Sequence, residues 1–389
     1  MLGARPRERR ASVEATPASA IFSEGEGHLG SCLAAALEDP VVTRVWPAWA
    51  AERGGRTLRG PTLPAHLVRL AGALEARLAH RQDLTLTATR WLHGRYSAGL
   101  ARELGTSTRV ATALHAGALF REGRPRVLDF PMSPPATWNR WRELDTVGFC
   151  ALRSPLAARV AERLVAREVA AADVVVALSS PARRELQSQW PAARVETILP
   201  GVDPIREQSP RPGRAVVYVG AIERQKGVGD LLDALDAHPN IELVCAGPGS
   251  RWSRDLVDRI CQRPCTRYVG SLSPDARDNL LSRARVVVVP SHHEGFGLVI
   301  LEAMAAGVPV IATTATGGPD AGVGDFGCLV PPGDRAALGA AVSEASQMTD
   351  AERRDRGQRA LDSFHERRFH AAAFVARWQA LIERLDDAS

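Results

Sequence analysis

The chain has 389 residues, 45% of them hydrophobic and 24% charged, a composition that excludes a fibrous or wholly disordered protein. With 49 Lys and Arg against 44 Asp and Glu, the formal charge of +5 suits anionic partners without specifying one. No apolar run reaches membrane-spanning length, and the six cysteines lack the paired spacing of a zinc site, so reduced thiols in a cytoplasm are expected.

Residues 1–18, beginning MLGARPRERR, are expected to form a disordered basic tail, because no signal-peptide core follows the charges. Ala20–Phe22 reads as a strand, followed by the glycine loop SEGEGH and a helix-like SCLAAALED. That is the order of the first βα turn of a doubly wound domain. Residues 42–57, VTRVWPAWAAERGGRT, show no clear period and read as a packed loop or an acceptor wall. Leu67–Leu78 is an amphipathic helix, Asp83–Thr89 alternates as a strand, and Ser97–Leu104 is helical. Arg109–Leu114 reads as a strand ending at His115, and Arg126–Phe130 as a further candidate strand. Between Pro131 and Leu156, Trp138 and Trp141 stand beside Arg140 and Arg142. Such a loop suits a sugar ring, an anionic membrane face or simple local packing. Ala172–Ser179 is a strand, and the break SPRPG after VETILPGVD places a domain boundary within Gly201–Gly213.

The second half begins with the strand Ala215–Gly220, the loop AIERQKG and the helix VGDLLDAL. Ile241–Gly249 and Tyr268–Ser273 are strands with glycine turns. From Arg285 to Thr314 the chain reads RVVVVP, SHHEGFG, LVILEAMAAG, VPVIATT: strand, loop, helix and strand of one βαβ unit. Glu294 then lies outside a strand's carboxyl end, where open parallel sheets bind ligands. The helix starting near Gly297 offers unpaired N–H groups and a positive dipole end for a phosphate. Glu302 lies further along it, Asp334 in VPPGDRAAL is a candidate N-cap, and Phe364–Leu385 is helical.

The pair Glu294-x7-Glu302, set in SHHEGFG and EAMAAGVPVIAT, resembles the donor-site signature of the retaining glycosyltransferases of family 4 (glycosyl transferases group 1), which have the GT-B fold. The resemblance is specific over Ala172–Ala340 and an outline only before that. It implies two doubly wound, Rossmann-like α/β domains facing a cleft: an acceptor-binding domain over 19–204 and a nucleotide-sugar domain over 205–370, with a last helix, 371–389, crossing back. By that resemblance Glu294 meets the donor sugar and Glu302 the ribose. The amides of Phe296, Gly297 and Leu298, after Gly295, face the diphosphate, and Gly27 faces it across the cleft. His115 resembles the histidine that hydrogen-bonds the donor sugar; if Arg126–Phe130 is the matching strand instead, Asp129 or Ser133 holds that place. Lys226 matches the lysine of the family's G-R-x-x-x-x-K-G loop, which neutralises the diphosphate. The arginine position is Ala221, and Arg224 is the candidate for the second cation. The family's PNGVD hinge segment is present without its Asn.

The implied activity is transfer of a hexose-type sugar from a nucleoside-diphosphate sugar, UDP- or GDP-linked, to a hydroxyl of a small-molecule, lipid or glycan acceptor. No cofactor is expected, and the lack of a DxD-type pair implies a metal-independent enzyme. No nucleic-acid partner is expected, since the positive charges are dispersed. A bacterial, cytoplasmic location follows, with peripheral contact at the inner membrane face left open. Three rivals stand beside it: a nucleotide-sugar-binding protein without turnover, a disaccharide synthase or phosphorylase, and a nucleotide-sugar epimerase of the same fold.

Overall fold

The computed structural model describes residues 162–205 (except 164 and 168), 213–249 and 253–387, and six strands between residues 20 and 129 as backbone. In chain order the first strands are β1 (Ala20–Ser23), β2 (Val41–Arg44), β3 (Ala50–Arg53), β4 (Arg56–Leu58), β5 (Val110–Ala111), β6 (Val127–Asp129), β7 (Val174–Ala177) and β8 (Val195–Thr197). They form one sheet in the order β4-β3-β2-β1-β5-β6-β7-β8. Pairing is parallel from β2 to β8, and antiparallel where β3 and β4 extend the edge. The expectation of a packed loop over 42–57 is therefore corrected: most of that segment is sheet. Arg53 of β3 is in antiparallel register with Arg56 of β4. The tail 1–18, Leu67–Leu78, Asp83–Thr89, Ser97–Leu104 and the Trp/Arg loop lie outside the described residues.

Valine carries β7, all four of whose residues are buried. It leads into α1 (Ser180–Gln189), where the Ser179 side chain accepts from the Ala182 amide at 3.2 Å and so satisfies an end group of the helix.

The second sheet alternates strongly. It runs β9 (Val216–Val219), α2 (Val228–Leu235), β10 (Leu243–Ala246), α3 (Arg254–Gln262), β11 (Thr266–Gly270), α4 (Pro274–Ser282), β12 (Val286–Val289), α5 (Leu298–Ala305) and β13 (Val310–Thr313). After these come α6 (Gly318–Ala321), α7 (Val323–Phe326), β14 (Cys328–Val330), α8 (Arg335–Gln347), α9 (Asp350–Glu366) and α10 (Ala371–Asp387). The strand order β11-β10-β9-β12-β13-β14 is parallel throughout and reverses between β9 and β12. Such a reversal opens a crevice at the carboxyl ends of the two strands, because their connections leave in opposite directions. Alternate strand residues supply two cores. Val217, Val244, Val287 and Ala312 pack with α5, α9 and α10, whereas Val216, Leu243, Cys245 and Val288 pack with α2, α3 and α8.

Phe364–Leu385 is not one helix. α9, opened by a Thr349–Glu352 capping box, stops at Glu366; Arg368 takes a left-handed φ of 57°, and α10 starts at Ala371. Between the helices, Phe369 and Ala371 exchange backbone hydrogen bonds with Val202 at 2.9 and 3.1 Å. Gly201 lies there because a β-carbon would collide with the His370 carbonyl. α10 is tied to β8 by the Arg384–Glu196 ion pair and to the chain just beyond it by Arg377 Nη1 donating to the Leu199 carbonyl, both at 2.8 Å.

Candidate functional site

Three loops meet where the strand order reverses. The first leaves β9 at Gly220-Ala221, where the Tyr218 hydroxyl donates to the Ala221 carbonyl at 2.7 Å. It ends in a short 3-10 turn, Arg224–Lys226, and Gly227 at φ 71°. The second leaves β12 through Pro290 and ends at Gly297, φ 88°, the residue before α5. The third follows β13. Backbone bonds stitch them together: His292 N to Gln225 O at 2.9 Å and Glu294 N to Ala315 O at 3.1 Å. Thr313 Oγ1 adds a bond to the Ser291 carbonyl at 2.6 Å.

This stitching brings Lys226 and Glu294 together. Lys226 Nζ lies 2.7 Å from Glu294 Oε1, and Ser291 Oγ donates to the same oxygen at 3.0 Å. Both side chains line a cavity of about 340 Å³, within the range of small-ligand sites. Ala221, Gly295, Gly297 and Leu298 share its wall, and Leu178, just past β7, reaches it from the first sheet. α5 has no side-chain cap, so its first amides lie at the wall with their positive dipole end. Burial first, then the Glu294 carboxylate, pushes the Tyr218 hydroxyl well above its ordinary pKa, so it stays a neutral donor.

Other expected residues fall differently. Glu302 is on α5, but its carboxylate is held by Arg277 Nη1 of α4 at 2.9 Å and does not line the cavity. Arg224, the candidate for the cation missing at Ala221, pairs with Asp255 of α3 at 2.8 Å and does not line it either. Phe296 is part of the cavity wall, but its ring faces the core, edge-on to Phe369 at 5.9 Å, and the Phe296 carbonyl accepts from Gly317 N at 2.7 Å. A β-carbon on Gly317 would enter that ring. Gly27, His115 and Ser133 lie outside the described residues, and Asp129 ends β6. Among the described residues no group of three or more His, Cys, Asp and Glu is arranged to hold a metal.

Two sets of residues behind the cavity were not singled out from the sequence. His292 Nε2 is 2.6 Å from Asp230 Oδ2 of α2, and Arg335 Nε is 2.8 Å from Asp230 Oδ1. Burial alone would raise the Asp230 carboxyl, but the His292 and Arg335 hydrogen bonds outweigh it and hold the group below its ordinary value. The second set joins the two sheets. His293 Nδ1 is 3.0 Å from Glu185 of α1, and Asp320 of α6 accepts from Ser180 N at 2.8 Å and Ser180 Oγ at 2.5 Å. The SHH sequence was visible, but nothing local indicated its partners in α1 and α2.

Residues 213–347 match the family model described as glycosyl transferases group 1. The glycogen synthase of Mycobacterium tuberculosis is 38% identical over 180 residues, which cover 43% of this chain and 44% of that protein. A D-inositol 3-phosphate glycosyltransferase of Corynebacterium kroppenstedtii is 32% identical over 248 residues, 58% of this chain and 52% of that one. The chain thus spans about half the length of the curated relatives it matches. In fold it is similar to the sucrose-phosphate synthase of Thermosynechococcus elongatus, with a TM-score of 0.72 and 19% identity, over 96% of this chain and 100% of that one. The fold is GT-B.

Proposed function

We propose that this chain, whose residues 213–347 match the family model of the glycosyl transferases group 1, is a glycosyltransferase of that group that moves a hexose-type sugar from a nucleoside-diphosphate sugar to a hydroxyl acceptor, with retained configuration and without a metal. The observation that carries this reading is the Lys226–Glu294 pair in the cavity where the strand order reverses. A diphosphate placed against the first amides of α5 offers Lys226 a stronger partner than one carboxylate. The displaced Glu294 is then available to accept hydrogen bonds from sugar hydroxyls. Lys226 and the helix end face the oxygen on which negative charge develops as the glycosidic bond breaks, which lowers the barrier. The acceptor hydroxyl attacks on the face that the phosphate leaves, and the phosphate oxygen takes its proton. Glu294 orients the sugar and forms no bond to it. The ribose falls to Glu302, which requires the Arg277 pair to open or to share. The names of the relatives support glycosyl transfer as the reaction class and leave the acceptor open between small molecules and glycans.

A second reading, donor binding without turnover, is favoured by one feature: Ala221 stands where the second cation is expected, and Arg224 is engaged by Asp255. One experiment separates the two. Purified protein is incubated with UDP-, GDP-, ADP- and dTDP-sugars, and thermal stabilisation and release of free nucleotide are followed together. Glu294→Ala and Glu302→Ala run alongside. A ligand that binds only the folded state raises the unfolding midpoint by mass action. One donor that shifts the wild type, fails to shift the variants and is slowly consumed supports the transferase. A shift without consumption, with or without acceptors, supports binding alone. EDTA must leave turnover intact; loss of activity restored by Mg²⁺ or Mn²⁺ overturns metal independence.

A further inference from the structure

β9, β10 and β11 are covered by α2 and α3 on one face, whereas on the other the short crossover helix α4 leaves an opening beside it. A cavity of about 420 Å³ lies there. Its floor is one face of the sheet: Val217 and Val244 are register partners on β9 and β10, and Val269 of β11 continues the surface. Leu280 of α4 forms the opposite wall. Val269 is the exposed large hydrophobic of the described residues, 38% accessible, and it lies in a concavity rather than on a convex surface.

Arg214, Arg267 and Arg283 are also in the lining, and Glu242 is the acid among them. Arg267 is in register with Val244, so its stem extends the apolar floor and its guanidinium stands at the rim. Among the described residues, none of these three side chains has an ion pair or a hydrogen bond. Arg224, Arg277 and Arg335, by contrast, are all paired. Three like charges around a low-dielectric hollow focus a positive potential into it.

We infer that this hollow is a second ligand site, separate from the one at the carboxyl ends of the strands, and that it takes a small organic anion with an apolar body. A phosphate, sulfate or carboxylate head would meet the guanidinium groups, while the body covers the valine floor. An inorganic ion alone leaves that floor in water, and a neutral apolar molecule leaves the arginines uncompensated. The inference is independent of the glycosyltransferase reading.

Fluorescence titration tests it, with 8-anilinonaphthalene-1-sulfonate as the anionic apolar probe and N-phenyl-1-naphthylamine as its neutral counterpart. The anionic probe is expected to bind saturably and more tightly than the neutral one, and saturating UDP is expected not to displace it. Arg267→Glu with Arg283→Glu should weaken it by at least about ten-fold. Arg354→Glu on α9, outside the hollow, should leave it unchanged. Val269→Ser interrupts the apolar floor while keeping the arginines and adding no charge, and should also weaken the probe; it carries the same test if the double variant does not fold. Equal affinity for wild type and either hollow variant, equal binding of the two probes, or displacement by UDP overturns the inference.

Discussion

Lys226 and Glu294 neutralise one another across 2.7 Å, so a donor competes with an existing ion pair instead of meeting two free charges. Lys226→Ala is expected to abolish the donor-dependent shift in unfolding midpoint. It should also lower kcat/KM by about 10²-fold, the scale on which a transition-state donor matters. Steady-state kinetics with the donor identified from the panel decide it, and an unchanged kcat/KM would exclude Lys226 from the chemistry. Asp230, behind the same loop, has a folded-state pKa lowered from 3.8. A lowered carboxyl stabilises the fold fully above its unfolded value, and that contribution is lost as pH falls through the lower folded value. Asp230→Asn should therefore cost about 1 kcal/mol at neutral pH, the size of one hydrogen-bond contribution. Its deficit should shrink toward zero as pH falls below the ordinary carboxylate range and the wild-type carboxyl protonates too. Unfolding midpoints measured between acid and neutral pH give the two curves; a deficit that persists unchanged in acid would refute the assignment.

Among the elements, the turn between β9 and α2 depends on a single glycine. Gly227 has a φ of 71°, and a β-carbon there would collide with the carbonyl of Pro290 at the end of β12. Gly270, the last residue of β11, has a similar φ of 66°, but a β-carbon there meets nothing within 4 Å. The two positions separate backbone strain from collision. Gly270→Ala should cost about 1 kcal/mol, the penalty of the left-handed region alone. Gly227→Ala should cost about 3 kcal/mol or more, because the loop has to move away from β12. Since that loop carries Lys226, the second variant should also lose donor binding. Urea unfolding of both variants provides the comparison, and equal losses would show that the Pro290 contact has no weight.

Over the whole molecule, α1 of the first sheet is fastened to the second through Asp320 and His293. The Asp320 carboxylate caps the positive end of α1 from outside its own unit. Asp320→Asn is expected to lower stability by about 1 kcal/mol, and Asp320→Asn with Glu185→Gln to be non-additive, because both residues hold the same helix. Strict additivity in a thermal double-mutant cycle would mean that the two contacts are independent. The valine strands, the βαβ unit from Arg285 to Thr314, the Asp334 cap and the position of Glu294 at a strand end could all be read from the sequence. Each depends on local periodicity, a cap or a glycine turn, which neighbouring residues specify between themselves. Side-chain partners required the tertiary structure. Lys226 meets Glu294 across a separation of 68 residues only because β9 and β12 are adjacent in the sheet. Arg224 goes to Asp255 and Glu302 to Arg277 because α3 and α4 present those groups, which no spacing along the chain reveals. Strand order decides which distant charges share a surface, and strand order is a property of how the whole chain packs.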